Sequence, residues 1–177
     1  MDDIVRAALA KWPNVPHCFG WLALDARGDW YMRDERIQHA GPFPRVKGSR
    51  IDHPKLKAFI ERNYDADEHG AWFFQNGPQR VYLQLEAAPW VWRLQWRGDE
   101  LQLRSHTGRD AVLNTGDGCL LDEHGRLFLA TDIGLGLVHT QDMDDAARAV
   151  ELGRWSPQDV AFAALPQRFG YQLDPRP

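Results

Sequence analysis

The chain has 177 residues, 44% of them hydrophobic and 26% charged, with a formal net charge of −4. That length suits one domain or two small lobes sharing a core, and the composition excludes a disordered or fibrous chain. The negative balance excludes nonspecific nucleic-acid binding, because no surplus of positive charge is available to displace counterions from phosphate.

Asp2 to Lys11 carries Ile4, Val5, Ala8 and Leu9 at helical spacing and is predicted as a short helix, ended by Pro13 and Pro16. The acidic start does not resemble a signal peptide, and no apolar run approaches membrane-spanning length. Cys18 and Cys119 stand apart, without the spacing of a metal or redox pair. The expectation is a cytoplasmic protein with neither a membrane nor a nucleic-acid partner. A hairpin is predicted from Phe19 to Asp34, turning at Asp25 to Asp29. Across Trp30 to His39 charges of both signs stand close together, Arg33 and Arg36 flanking Asp34 and Glu35, which reads as mutual pairing on a surface. Arg36 and His39 then stand just before a loop rich in glycine and proline, Gly41 to Ser49, within reach of a cleft. Asp52 is placed as the N-cap of a helix to about Tyr64, with Pro54 in its first turn.

The middle is strongly alternating. Trp72-Phe73-Phe74 leads through a turn at Asn76-Gly77-Pro78 into a strand from Arg80 to Glu86. Trp90 to Arg97 and Leu101 to Arg104 form a second pair about Gly98-Asp99. Such patterning predicts antiparallel strands with one buried and one open face. A hairpin follows from about Gly118 to Thr131, then a helix from Asp142 to Leu152. Ser156-Pro157-Gln158-Asp159 has the form of a capping box and predicts a short final helix, with a tail from Pro166. Leu24-Asp25-Ala26-Arg27-Gly28 and Leu121-Asp122-Glu123-His124-Gly125 agree at three of five positions. An internal duplication would explain this and would create a cleft between halves; hairpin turn chemistry alone would give the same letters. The expected fold class is α+β, with antiparallel hairpins, three to four short helices and two lobes, residues 1–88 and a β-rich 89–177, or one compact unit containing both.

The chemistry-bearing motifs mostly fail on inspection. Asp65-Ala66-Asp67-Glu68-His69-Gly70 begins like a calcium loop, but His69 replaces an oxygen ligand and Asn76 stands where a bidentate Glu belongs. The seven histidines show no zinc spacing. Gly134-Leu135-Gly136 lacks the third glycine of a dinucleotide loop, and neither a Walker lysine nor a GxSxG serine is present. Adjacent His17 and Cys18 point to opposite faces of a strand. Arg27-Gly28-Asp29 and Arg97-Gly98-Asp99 are hairpin turns. No catalytic residue, metal or cofactor is therefore expected, and an enzyme is the least favoured class.

What remains is a polar sheet face: Arg80, Tyr82, Gln84 and Glu86, then Arg93, Gln95 and Arg97, then Gln102 and Arg104, with Gln75 and Asn76 at the rim. Arginine outnumbers lysine 17 to 4 and there are 8 tryptophans. Planar guanidinium forks and large rings suit planar anions, although a GC-rich genome would enrich arginine equally. The candidate site is Arg36, Trp72, Gln75, Arg80, Tyr82 and Arg93, binding a small anionic, nucleotide-like molecule in a sensing or regulatory module. The competing class is a protein adaptor presenting Trp30, Trp72 or Trp155.

The order Gly28-Asp29-Trp30-Tyr31, Arg36-Ile37, a helix, Gly70-Ala71-Trp72-Phe73-Phe74, Arg80-Val81-Tyr82-Leu83 and Ala87-Ala88-Pro89-Trp90-Val91 resembles uncharacterised proteobacterial domain-of-unknown-function families. The resemblance covers roughly residues 20–150. It implies duplicated α+β halves, a C-terminal half like a pleckstrin-homology fold, and a nucleotide-like ligand between the halves. It brings no catalytic residues, and the Gly41 to Ser49 loop and the tail after Ser156 depart from the pattern.

Overall fold

The alternating stretches around Tyr82 and Trp92 belong to different sheets of the computed structural model, which describes residues 1–116 and 118–177. Residues 1–25, 29–86 and 170–177 form one compact unit; residues 26–28 and 87–169 form the other. The chain thus divides at Glu86, and its residues 170–177 belong to the first unit.

In the first unit, α1 (Asp3–Lys11) starts after an extended Asp2, whose carboxylate takes bonds from Arg62 and Asn63 rather than capping the helix. Antiparallel β1 (Cys18–Leu24) and β2 (Trp30–Met32) place Leu24 opposite Trp30. Asp25 closes their turn: its carboxylate accepts the Asp29 N–H at 2.9 Å. A short α2 (Glu35–Ala40) follows, capped by Asp34, which accepts from the Ile37 N–H. Six residues are too few to show periodicity, so the sequence carries no helix signal there. After β3 (Ser49–Arg50) comes α3 (Pro54–Arg62), which starts later than expected and is capped by His53, not Asp52. It also stops short of Tyr64, which opens β4 (Tyr64–Ala66). β5 (Trp72–Asn76) and β6 (Gln79–Leu85) complete a sheet ordered β3-β2-β1-β6-β5-β4. Its central pair, β1 and β6, runs parallel, with a register shift between Phe19 and Leu22. Gly20 lies at that irregularity with φ +74°, a conformation an L side chain adopts only under strain.

In the second unit, β7 (Trp90–Arg97) and β8 (Glu100–Ser105) pair Arg93 with Arg104 and Gln95 with Gln102. β9 (Asp110–Ala111), β10 (Cys119–Asp122), β11 (Leu127–Thr131) and β12 (Gly134–Val138) follow, then α4 (Met143–Glu151), β13 (Gln158–Val160) and α5 (Leu165–Phe169). The sheet order is β13-β10-β11-β12-β7-β8-β9. Buried Trp90 and Trp92 pack over β12, and their indole N–H groups donate to Ile133 O and Leu129 O. A Cβ on Gly136 would come within 2.4 Å of the Trp92 indole nitrogen, so the glycine is what lets the two rings lie against the strand. The Ser156–Asp159 capping signature is overruled: Gln158 to Val160 pair in parallel with β10 as a strand. Pro166 sits in the first turn of α5, where its missing N–H costs nothing.

The two sheets share one topology. Each consists of two three-stranded antiparallel meanders, joined by parallel pairing of the first strand with the sixth: β1 with β6, and β7 with β12. β13 is the addition. The equivalent first turns are Arg27-Gly28-Asp29 and Arg97-Gly98-Asp99, so these two triplets mark the repeat. The Leu-Asp pentapeptides fall instead on the β1–β2 and β10–β11 turns, which do not correspond.

Candidate functional site

Arg33 follows directly on β2. Its backbone N–H donates to Trp21 O at 2.8 Å, and its own carbonyl accepts from Gln38 Nε2 at 3.0 Å, so the main chain is fixed from both sides. The residue is 1% exposed. Its Nη1 donates to Gln84 Oε1 at 3.1 Å and its Nη2 to Gly41 O at 2.7 Å, with the Phe43 ring centroid 5.7 Å from the guanidinium. The buried Nε has no hydrogen-bond acceptor. Among the described residues no carboxylate forms an ion pair with this guanidinium. Burial lowers its pKa and the field of Asp174 opposes that, but an arginine keeps its charge in either case.

The approach of the loop matters here. Gly48 has φ +98°, and a Cβ on it would lie 2.4 Å from Met32 O and 3.2 Å from Arg33 Cγ; glycine lets the 41–49 segment pass directly over the arginine stem. Beside it opens a pocket of about 370 Å³, lined by Arg33, Gln38, His39, Gly41, Pro42, Gln84 and Arg176. His39 Nδ1 lies 2.6 Å from Glu35 O and must donate to it, which leaves Nε2 for other partners. Gln84 connects two charges: its Oε1 accepts from Arg33, and its Nε2 donates to Asp174 at 2.8 Å. The other Asp174 oxygen accepts from Arg176. The lining offers guanidinium, amide and imidazole groups, all of which can meet an anion.

The structure distributes the residues expected to form the site. Arg36 is exposed on α2, 3.9 Å from Asp34. Trp72 is half buried against Tyr64. Gln75 is fully buried and donates to Gly77 O. Arg80 and Tyr82 do come together, with the Arg80 guanidinium over the Phe73 ring and the Tyr82 hydroxyl donating to Asp67 at 3.0 Å. Tyr82 is stacked on Phe19 at 4.7 Å and buried, so it is core rather than an open platform. Asp67 receives the Ala71 and His69 N–H groups and the Tyr82 hydroxyl; burial works to raise its carboxyl, and these donors hold it below its usual value.

Arg93 belongs to the second sheet, so the single polar face expected across Arg80 to Arg104 does not exist: β6 lies in one sheet, β7 and β8 in the other. Gln84, expected on that open face, is buried. Arg93 holds Asp142 through two bonds, 2.6 and 3.0 Å, and Asp142 also accepts the Leu94 N–H. A groove of about 590 Å³ runs over Arg93, Arg97 and Arg104, but Arg104 is occupied by Gly108 O and Asp110. Of the rings proposed for an adaptor surface, Trp30 and Trp155 are inside. Burial pushes the Cys119 thiol up to about 11, away from any nucleophilic role. Among the described residues no three His, Cys, Asp or Glu side chains gather as a metal ion would need, and no helix is long and apolar enough to cross a membrane.

The fold and the pocket thus define an α+β protein of two topologically repeated units with a buried arginine beside an open cavity. The chain belongs to the DUF2944 family, described as a protein of unknown function (DUF2946), whose profile matches residues 1–176. Among solved structures it is similar to a DUF1285 family protein from Silicibacter pomeroyi DSS-3, with 15% identity and a TM-score of 0.50 over 82% of this chain and 83% of that one. A DUF1285 family protein from Shewanella baltica OS155 is similar at 15% identity and a TM-score of 0.50, over 77% and 97% of the two chains. At that identity the likeness concerns the fold. No curated protein matches the chain.

Proposed function

We propose that this protein is a binding module for a small anion, held on Arg33. The observation that carries the reading is a guanidinium 1% exposed, with an idle Nε and no carboxylate in ion-pair contact among the described residues. Taking such a charge out of water costs several kcal/mol, and the cost persists in a native fold when something answers the charge. The adjacent pocket supplies the place for that answer. Binding of a small anion suits a sensing or regulatory role.

The test is a thermal-shift and NMR titration of the whole chain with a panel of small anions, repeated on Arg33→Met. A ligand at a hundred times its Kd raises stability by about 2.7 kcal/mol. Stabilisation that disappears in a folded Arg33→Met protein is the expected result; anion binding that survives the substitution would move the site elsewhere.

A further inference from the structure

We infer that the anion taken by the Arg33 pocket is a singly charged carboxylate rather than a phosphate. This rests on the binding role proposed above and gives its ligand a chemical class.

Charge balance is the first reason. Counting His39 as neutral, the charged groups at the pocket are Arg33, Arg176 and, bridged to Arg33 by the Gln84 amide, Asp174. Whichever arginine the carboxylate is assigned to, their formal charges sum to one positive. One carboxylate neutralises that sum. A phosphate monoester carries about −1.5 to −2 near neutral pH and would leave negative charge uncompensated against the buried floor of the pocket.

Donor geometry is the second. A guanidinium has five N–H groups, and Gln84 and Gly41 take one each. Three remain, one on each nitrogen, and a planar guanidinium presents its N–H groups in the geometry that meets the two oxygens of a carboxylate. A phosphate has three oxygens to satisfy and is usually met by backbone N–H groups at a helix N-terminus or a backbone nest. Here the backbone around the pocket offers the opposite: Gln38, His39 and Gly41 are at the C-terminal end of α2, where carbonyls point outward, and Pro42 has no N–H at all. A second negative charge would face those carbonyls.

The pocket's volume of about 370 Å³, the share of roughly a dozen water molecules, suits a small acid.

The experiment follows the Arg33 Nε–H resonance in the full-length protein, at constant ionic strength, during separate titrations with acetate, lactate, benzoate, inorganic phosphate and methyl phosphate. The expected result is saturable shifts with the carboxylates and at least tenfold weaker binding of the phosphates. Asp174→Asn is the second variant: it retains an amide beside Gln84 and raises the charge sum by one. It should therefore shift the phosphate-to-carboxylate affinity ratio severalfold towards phosphate. Phosphate binding to the unaltered protein as tightly as carboxylate, or an unchanged ratio in Asp174→Asn, overturns the carboxylate assignment and leaves anion binding standing. Failure of both probe classes to perturb Arg33 overturns the binding role itself.

Discussion

Arg33 in the first unit and Arg93 in the second solve opposite problems. At Arg93 the anion is inside and the cation half outside: the Asp142 side chain is 8% exposed and the Arg93 side chain 50%. Both carboxylate oxygens are used, one of them also by the Leu94 N–H, so the pair is complete within its own unit. At Arg33 the cation is inside, and the nearest carboxylate that acts on it, Asp174, is an amide away and already engaged with Arg176. One arginine is paired with a carboxylate; the other, among the described residues, is met by an amide and a backbone carbonyl. The lesson is that an arginine's exposure says little about its pairing, since the half-exposed one holds a carboxylate and the buried one is met by neutral groups.

Substitutions can break or sharpen this contrast. The largest effect is expected from Asp142→Ala, which strands the buried Leu94 N–H and removes the acceptor of Arg93; chemical denaturation should show a loss of about 3 kcal/mol. Arg93→Met leaves Asp142 buried with only its backbone donor and should cost a similar amount, about 3 kcal/mol, because the charge left unpaired is the buried one. A pH series on Asp142→Asn comes next. Burial acts to raise the Asp142 carboxyl, but the Arg93 guanidinium and Leu94 N–H outweigh it and hold it below 3.8. A depressed folded value means stability that is fully present above about pH 4 and is lost as pH falls through that lower value. Asparagine has no such stability to lose, so its unfolding free energy should vary less than the wild type's below pH 4. The smallest change in stability belongs to Arg33→Met, less than about 1 kcal/mol in the absence of ligand, since relief of charge burial offsets two lost hydrogen bonds. A loss of 3 kcal/mol there, measured by the same denaturation, would make Arg33 a structural joint like Arg93.

Much of the strand pattern was legible, and its assembly was not. The alternation from Trp90 to Arg97 announces β7, because a hydrophobic period of two is a local property. Which strands share a sheet is decided by long-range pairing: β6 joins β1, while β7 joins β12, and no period in the sequence separates the two cases. The same pairing buries Tyr82 and Gln84, whose polar ends find Asp67 and Arg33 inside the fold. Parallel pairing with β10 likewise outweighs a sound capping signature at Ser156. Arg33 was hidden by its neighbours. In Arg33-Asp34-Glu35-Arg36 the mixed signs suggest mutual pairing, yet Asp34 spends one oxygen capping the Ile37 N–H and Arg36 approaches the other only to 3.9 Å. The usable signal was the repeat of the Arg-Gly-Asp triplet, which marked equivalent turns and could have set the alignment of the halves.

The return of residues 170–177 to the first unit has a consequence for how the chain is made. Leu173 O accepts the Leu85 N–H, Gly70 O accepts the Gln172 N–H, and Tyr171 is buried. A ribosome working from the N-terminus releases β1 to β6 first, then β7 to β13, and residues 170–177 after them. The half that is translated later can therefore finish folding while the earlier half still waits for its final segment. Because Arg176 is part of the pocket wall, the pocket beside Arg33 is assembled only after β7 to β13 have been made.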